Sequence, residues 1–250
     1  MTEFLETPQG RRLAYVKTEA TKPGAGPDIV YLGGFKSDMT GTKAQFLEGF
    51  ARDSGRGFLR FDYSGHGQSS EDFLDGCIGD WAQDAIAAIT ALTQGPQVLV
   101  GSSMGGWVSL LVCKSIPERV AALVGIAAAP DFTEDSMWSS FDEAQRAIVM
   151  SEGQIELPSD YADEPYIITR RLIEDGRNQL VLRDPLPLPF PVRLLQGSED
   201  TDVPPSVALR LFDHAVSPDL RLTLVKGADH RFSEPENLAL LAQTIDSLEI

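Results

Sequence analysis

Histidine and cysteine are scarce in this chain, three and two among 250 residues. Cys77 and Cys113 form neither a Cys-x-x-Cys pair nor a metal-ligand spacing, which excludes a zinc ribbon or a dithiol redox centre. Both are expected as small core residues, Cys77 at the opening of a helix and Cys113 inside one. His66, His214 and His230 are too scattered for a recognisable metal motif. No metal and no cofactor are expected, and the search for a general base is short. No apolar run approaches the roughly 20 residues of a membrane span, so no membrane insertion is expected. Positive charge is the minority, 21 Lys and Arg against 37 Asp and Glu, for a formal net charge of -16. That balance repels nucleic acid and anionic membrane over a Debye length. The N-terminal Met1-Thr2-Glu3-Phe4-Leu5-Glu6 has neither the basic start nor the apolar stretch of a secretory or transit peptide, so a cytoplasmic protein is the expectation.

What the chain does have is ordinary globular material, 42% hydrophobic and 23% charged, enough for one sizeable core. Apolar runs bounded by Gly or Pro occur at Ile29-Val30-Tyr31-Leu32, Phe58-Leu59-Arg60-Phe61, Val98-Leu99-Val100 and residues 120–127 and 192–196. They read as strands buried on both faces. Residues 11–17 alternate as a partly exposed edge strand would, and 220–225 reads as the last strand. Helical spacing of apolar residues marks 43–51, 81–92, the stretch after residue 103, and 206–214. A capping box from Ser233 to Glu236 introduces a final helix. This alternation predicts an α/β fold with a mostly parallel central sheet and helices on both faces. The rhythm breaks between Pro130 and Pro191, where roughly 60 residues pass without a convincing buried strand. The core domain is therefore expected to comprise residues 1–130 and 190–250, with 131–189 inserted as a helical lid whose helices fall at 141–151 and 164–175.

Chemistry enters at Gly101-Ser102-Ser103-Met104-Gly105-Gly106, which joins the apolar run Val98-Leu99-Val100 to a second apolar stretch. A strand turning through Gly-x-Ser-x-Gly into a helix is a nucleophile elbow. Only Ser103 has glycine two residues away on both sides; Ser102 has Val100 and Met104 there. The tight turn brings backbones too close for Cβ atoms and lifts the Ser103 hydroxyl to a helix N-terminus, where free N–H groups favour a developing anion. One of those groups is the Met104 backbone N–H. Two later segments complete the set. The loop Gly197-Ser198-Glu199-Asp200-Thr201-Asp202-Val203-Pro204 crowds three acids after one strand, and Gly227-Ala228-Asp229-His230 follows the last. Serine, acid and histidine in that chain order, each after a strand of a parallel sheet, lie along one sheet edge. His66, in a Gly-flanked loop, and His214, within a helix, are weaker candidates for the base than His230. Asp131 is a second place for the acid, its plainer role being to start the insertion.

From Tyr31-Leu32-Gly33-Gly34-Phe35 through Phe61-Asp62-Tyr63-Ser64-Gly65-His66-Gly67 and the elbow to Asp229-His230, the chain resembles an α/β-hydrolase. Residues 191–204 and 227–232 are similar to the group that includes the mitochondrial palmitoyl-protein thioesterase and acyl-glucuronide esterase. Leu157-Pro158-Ser159 and Arg170-Arg171-Leu172-Ile173-Glu174-Asp175-Gly176 resemble its bacterial members. The resemblance selects Asp200 as the acid and the Phe35 backbone N–H as the second oxyanion donor beside Met104. It implies a serine hydrolase that cleaves a carboxylic ester or thioester of small-molecule size through an acyl-Ser103 intermediate, with His230 as base and no cofactor. The same triad would serve a C–C bond hydrolase or a peptidase, and a slow ligand-binding receptor could retain it. An aspartyl-nucleophile mechanism is disfavoured because Ser103 stands where it needs Asp. Met137, Trp138 and Phe141, with Ile148, Val149 and Met150, are expected either to line an apolar acyl pocket or to bury the lid's own amphipathic face. Arg170 and Arg171 read as solvated helix charges before they read as an anion site.

Overall fold

The computed structural model describes residues 1–157 and 165–250. The chain opens with strands β1 (Glu3–Glu6), β2 (Arg12–Thr18) and β3 (Ile29–Leu32), helix α1 (Thr42–Ser54), strand β4 (Phe58–Phe61) and helix α2 (Ile78–Leu92). Strand β5 (Gln97–Ser102), helix α3 (Met104–Ser115) and strand β6 (Val120–Ile126) follow. Between β6 and the next sheet strand lie a π-helical turn (Thr133–Trp138), α4 (Glu143–Glu152), β7 (Gln154–Leu157), β8 (Tyr166–Thr169), α5 (Arg170–Asn178) and the two-residue β9 (Leu186–Pro187). The sheet resumes with β10 (Val192–Gly197), then α6 (Pro205–His214), β11 (Ala215–Val216), β12 (Leu220–Val225) and α7 (Pro235–Asp246).

Eight strands form the central sheet in the order β1-β2-β4-β3-β5-β6-β10-β12. β1 and β4 each pair antiparallel with β2; the pairings from β4 to β12 are parallel. Every residue of β3, β5 and β10 is buried, as two covered faces require. On one face Ile78, Trp81 and Ile89 of α2 and Trp107, Val108 and Leu111 of α3 pack into a common core with Leu32 and Leu99. On the other, Ala44, Leu47 and Ala51 of α1 and Leu241 and Ile245 of α7 meet Val98, Val100 and Val124. The order of connection reverses between β3 and β5, because the chain leaves β3 for β4 on one side and later returns to β5 on the other. At such a switch point the carboxyl-end loops diverge and leave a crevice.

The tight passage from β5 to α3 depends on small residues. A Cβ on Gly105 would lie 2.1 Å from the Leu32 carbonyl oxygen and 2.5 Å from that of Gly33. Both are backbone atoms of the neighbouring strand end, so neither can swing aside. Gly105→Ala is expected to cost about 3 kcal/mol by overpacking, read as a lowered urea midpoint with an unchanged slope.

Four local expectations change. Residues 11–17 are not the sheet edge, since β1 pairs outside them; Glu3-Phe4-Leu5-Glu6 is too short and charged for its alternation to stand out. The 164–175 helix starts only at Arg170, after a strand, β8, that pairs antiparallel with β7. Tyr-Ile-Ile-Thr favours extended backbone, while the spacing of Ile168, Leu172 and Ile173 mimics one continuous helix. The reading at Glu164, and that at Pro158-Ser159, lie outside the described residues. The helix placed at 141–151 runs from Glu143 to Glu152, opened by a capping box between Asp142 and Gln145. The box expected at Ser233 does not form: Glu234 is the cap and Pro235 the first helical residue. Proline suits that first position and keeps its predecessor out of helical backbone.

The inserted stretch is anchored to the core on its α5 side. Asp175 of α5 accepts from the Gly79 N–H at the start of α2 (2.7 Å), and Trp107 Nε1 donates to the Gln179 carbonyl (3.0 Å). Arg171 pairs with Asp80 of α2 at 2.6 Å, and Arg170 lies 3.8 Å from Glu174. Arg171 thus joins two elements, which sequence alone did not distinguish from a solvated charge.

Candidate active site

Ser103 sits between the last residue of β5 and the first of α3 with φ 54° and ψ -119°, a backbone conformation that a non-glycine residue adopts at a cost of order 1–3 kcal/mol. Its surroundings hold it there. The Ser103 N–H donates to the Ile126 carbonyl (2.9 Å), and its own carbonyl accepts from the N–H groups of Gly106 (2.9 Å) and Ala129 (3.1 Å). The hydroxyl is thereby presented above the switch point. The adjacent Ser102 is buried and neighbours the Tyr31 phenol, so the two serines have different surroundings.

His230 arrives from the loop after β12, 127 residues away in sequence, and its Nε2 lies 3.1 Å from Ser103 Oγ. Its Nδ1 lies 2.9 and 3.1 Å from the two carboxylate oxygens of Asp200. Asp200, on the loop after β10, has no exposed side-chain surface. It also accepts from the N–H groups of Val203 (2.8 Å) and Asp202 (3.0 Å) and from Gln196 Nε2 (2.9 Å). Burial pushes the Asp200 carboxyl up, but the bonds from His230, Val203 and Gln196 outweigh it and hold the group below the usual carboxylate range. An ionised carboxylate only accepts, so Nδ1 carries the proton and the Nε2 lone pair faces the serine hydroxyl. In that tautomer the imidazole can withdraw the hydroxyl proton.

The other candidates have different partners. Asp131 is buried and accepts from the N–H groups of Val181 (2.8 Å) and Leu182 (3.0 Å) and from Arg183 (3.2 Å). It ties the start of the insertion to its return. His66 is buried among Tyr63, Phe73 and Trp81 with Nδ1 3.1 Å from the Ser64 carbonyl; His214 reaches the Asp184 carbonyl at 2.8 Å. Glu199 is exposed. Ligand atoms of Asp200, Asp202 and His230 lie within 4.8 Å of one another, a weak donor set for a cation because the Asp200 oxygens already accept four N–H donors.

Two segments border Ser103. Met104 opens α3, and the N–H groups of a helix's first turn have no intrahelical acceptor. On the facing side a Cβ on Gly34 would be 3.5 Å from Ser103 Cβ and 3.5 Å from the Ser102 carbonyl oxygen. The Gly33-Gly34-Phe35 loop therefore lies directly against the serine. Phe35 anchors it in an aromatic cluster, its ring centroid 4.9 Å from Phe73, 5.9 Å from Phe132, 6.0 Å from Trp81 and 6.4 Å from Tyr166. Lys36 Nζ lies 5.0 Å above the Tyr166 ring, joining this loop to the β7–β8 hairpin. Phe73, Phe132 and Tyr166 carry no sequence signal of this role, because isolated aromatics in short elements and turns show no periodicity that points to the site. Of the residues expected to line an acyl pocket or bury the insertion's own face, Phe141 and Val149 are buried in the core, while Ile148 and Met150 are exposed. Met137 is half-buried against the core, and Trp138 contacts Phe141 (6.2 Å) and lies beneath the guanidinium of Arg177 (4.6 Å).

Comparison with known proteins gives this geometry a family. The model of the Alpha/beta hydrolase family matches residues 29–243. The mitochondrial palmitoyl-protein thioesterase ABHD10 of Rattus norvegicus is 39% identical over 246 residues, 98% of this chain and 81% of that protein. Its Homo sapiens counterpart is 36% identical over the same length, covering 98% of this chain and 79% of its own. Among solved structures, a hydrolase from Agrobacterium vitis S4 superposes with a TM-score of 0.94 at 38% identity, covering 99% of this chain and 98% of its own. Mouse alpha/beta hydrolase domain-containing protein 10 gives a TM-score of 0.90 at 35% identity, covering 98% and 97%. The two thioesterases are mitochondrial by name. Among the described residues no helix is long and apolar enough to cross a membrane. With a matching model across the sheet and a switch-point serine on the strand-to-helix turn, the chain belongs to the alpha/beta hydrolase family.

Proposed function

We propose that this protein is a serine hydrolase that cleaves acyl thioesters, and activated oxygen esters more slowly, through an acyl-Ser103 intermediate. The observation that carries the reading is the unbroken chain from Asp200 through His230 to Ser103 Oγ, with contacts of 2.9 and 3.1 Å. His230 Nε2 takes the hydroxyl proton as the oxygen attacks the acyl carbon. Negative charge then gathers on the former carbonyl oxygen, where the Met104 and Phe35 N–H groups receive it, each donor contributing about 3 kcal/mol. The carbon–sulfur bond breaks on collapse, and the proton held on His230 passes to the departing thiolate. Water, deprotonated by the same nitrogen, attacks the acyl-serine and releases the carboxylic acid and Ser103.

Thioesters are favoured on two grounds. A thiol with a pKa of about 8.5 leaves with less help from the acid than an alcohol does. Relatives that span nearly this whole chain are palmitoyl-protein thioesterases. The aromatic cluster around Phe35, closed by Tyr166 from the hairpin, would receive the acyl chain, and residues 131–189 would serve as the lid. A series of acyl-coenzyme A thioesters and matched p-nitrophenyl esters, from two to sixteen carbons, tests the reading. Multiple turnover with higher kcat/KM on thioesters is the expected result. Stoichiometric binding without turnover on either series would reject the enzyme in favour of a receptor, and turnover restricted to peptides would reject the substrate class.

A further inference from the structure

Lys43, in the first turn of α1, belongs to no part of the chemistry above, yet its half-buried side chain donates to the Arg231 carbonyl oxygen and to Ser233 Oγ. Arg231 directly follows His230. The loop that carries the histidine is a constrained one. Phe232 adopts φ 50°, in the left-handed region where a bulky residue is strained, with its ring fully buried between the sheet and α7. The Phe232 N–H turns back to Asp229 Oδ1 (3.0 Å), and Ser233 Oγ donates to the same Arg231 carbonyl (2.9 Å). These bonds lie within the loop; the bond from Lys43 ties it to another element.

We infer that Lys43 is a positioning residue for His230: by holding the Arg231 carbonyl from α1 it fixes where the imidazole stands between Asp200 and Ser103. This rests on the serine-hydrolase reading of the site. A lysine ordinarily keeps its strongly hydrated ammonium in water. Here the ammonium is engaged by the Arg231 carbonyl, and burial, opposed by the nearby Asp229 and reinforced by Arg231, brings the group down to about 8. The required precision is high, because a displacement of about 1 Å in a catalytic group costs on the order of a hundredfold in rate.

Lys43→Met removes the donor and keeps the length. Three quantities are measured: the rate of Ser103 modification by a fluorophosphonate, kcat and KM on p-nitrophenyl butyrate, and the thermal midpoint. The expected result is a fall of about tenfold to a hundredfold in labelling rate and kcat, with KM within twofold and a midpoint close to wild type. Lys43→Arg, which keeps a charged donor, should recover part of the loss. If the Met variant does not fold, Lys43→Gln is measured against the same criteria. Labelling at the wild-type rate, or a loss that only tracks the unfolded fraction, would overturn the role of Lys43 while leaving the enzyme reading intact. Wild-type protein that is not labelled at Ser103 would overturn the reading itself.

Discussion

Ser103→Ala is expected to lower kcat by about 10⁴- to 10⁶-fold and to abolish fluorophosphonate labelling, while the protein keeps its fold. The size of the effect follows from covalent catalysis: without Oγ no acyl-enzyme can form, and only the polarising N–H groups remain to assist attack by water. The fold should survive because the turn is held by the backbone bonds to Ile126, Gly106 and Ala129, none of which uses the side chain. Alanine meets the same φ of 54° with no more strain than serine, so the thermal midpoint should stay level or rise. Ser102→Ala is the matched control. Its hydroxyl is buried beside Tyr31, and its loss should leave labelling intact. Intact-mass spectrometry after fluorophosphonate treatment reads both variants; a mass shift that persists in Ser103→Ala and vanishes in Ser102→Ala would assign the nucleophile to the wrong serine.

Asp200→Asn is the second large effect, with an expected loss of about 10⁴-fold in kcat near neutral pH. The amide is nearly the size of the carboxylate and can still accept from Val203, so the loop should keep its shape. It can also offer an N–H to His230 Nδ1, which then becomes the acceptor and moves the ring proton to Nε2. That nitrogen, 3.1 Å from Ser103 Oγ, would donate to the hydroxyl instead of withdrawing its proton. Asp131→Asn separates the two acids. It weakens the bonds to Val181, Leu182 and Arg183 and should cost about 1–3 kcal/mol of stability, with kcat per folded molecule unchanged. The pH dependence has a definite sign. Because Asp200 is held below its ordinary range, the stability it contributes is fully present above the unfolded value of about 3.9 and is lost only as the pH falls through the lower folded value. An activity loss at pH 5 to 7 therefore belongs to another group than Asp200.

The elbow could be read directly because its cause is local. Gly101 and Gly105 flank Ser103 so that strand and helix backbones can approach, and a Cβ at either site would fall 2.4 Å or less from a neighbouring atom. The alternation of two-sided apolar runs with helical periods announced the parallel sheet on equally local grounds, since each run records how many of its faces are covered. Where two local signals overlapped, as at residues 164–175, the strand in front of α5 was hidden by apolar spacing that suits a helix. The proline after Glu234 outweighed a plausible capping pattern in the same way.

Choosing among Glu199, Asp200 and Asp202 was beyond spacing, because all three occupy one loop; resemblance to a family pointed to Asp200, and in the fold it is the one whose oxygens meet His230. Asp131 received its partners only when the chain returned at residues 181–183. Lys43, Phe132 and Tyr166 carried no sequence signal, since what they do depends on segments that the sheet order brings alongside them. The one-dimensional chain thus specified the fold class, the elbow serine and the order of the three groups, each encoded in neighbours a few residues apart. The meeting of Ser103 and His230 across 127 residues, the tautomer that Asp200 imposes and the walls around the site came from the tertiary fold, because hydrogen bonds and ring contacts are set by distances in space that local patterning does not contain.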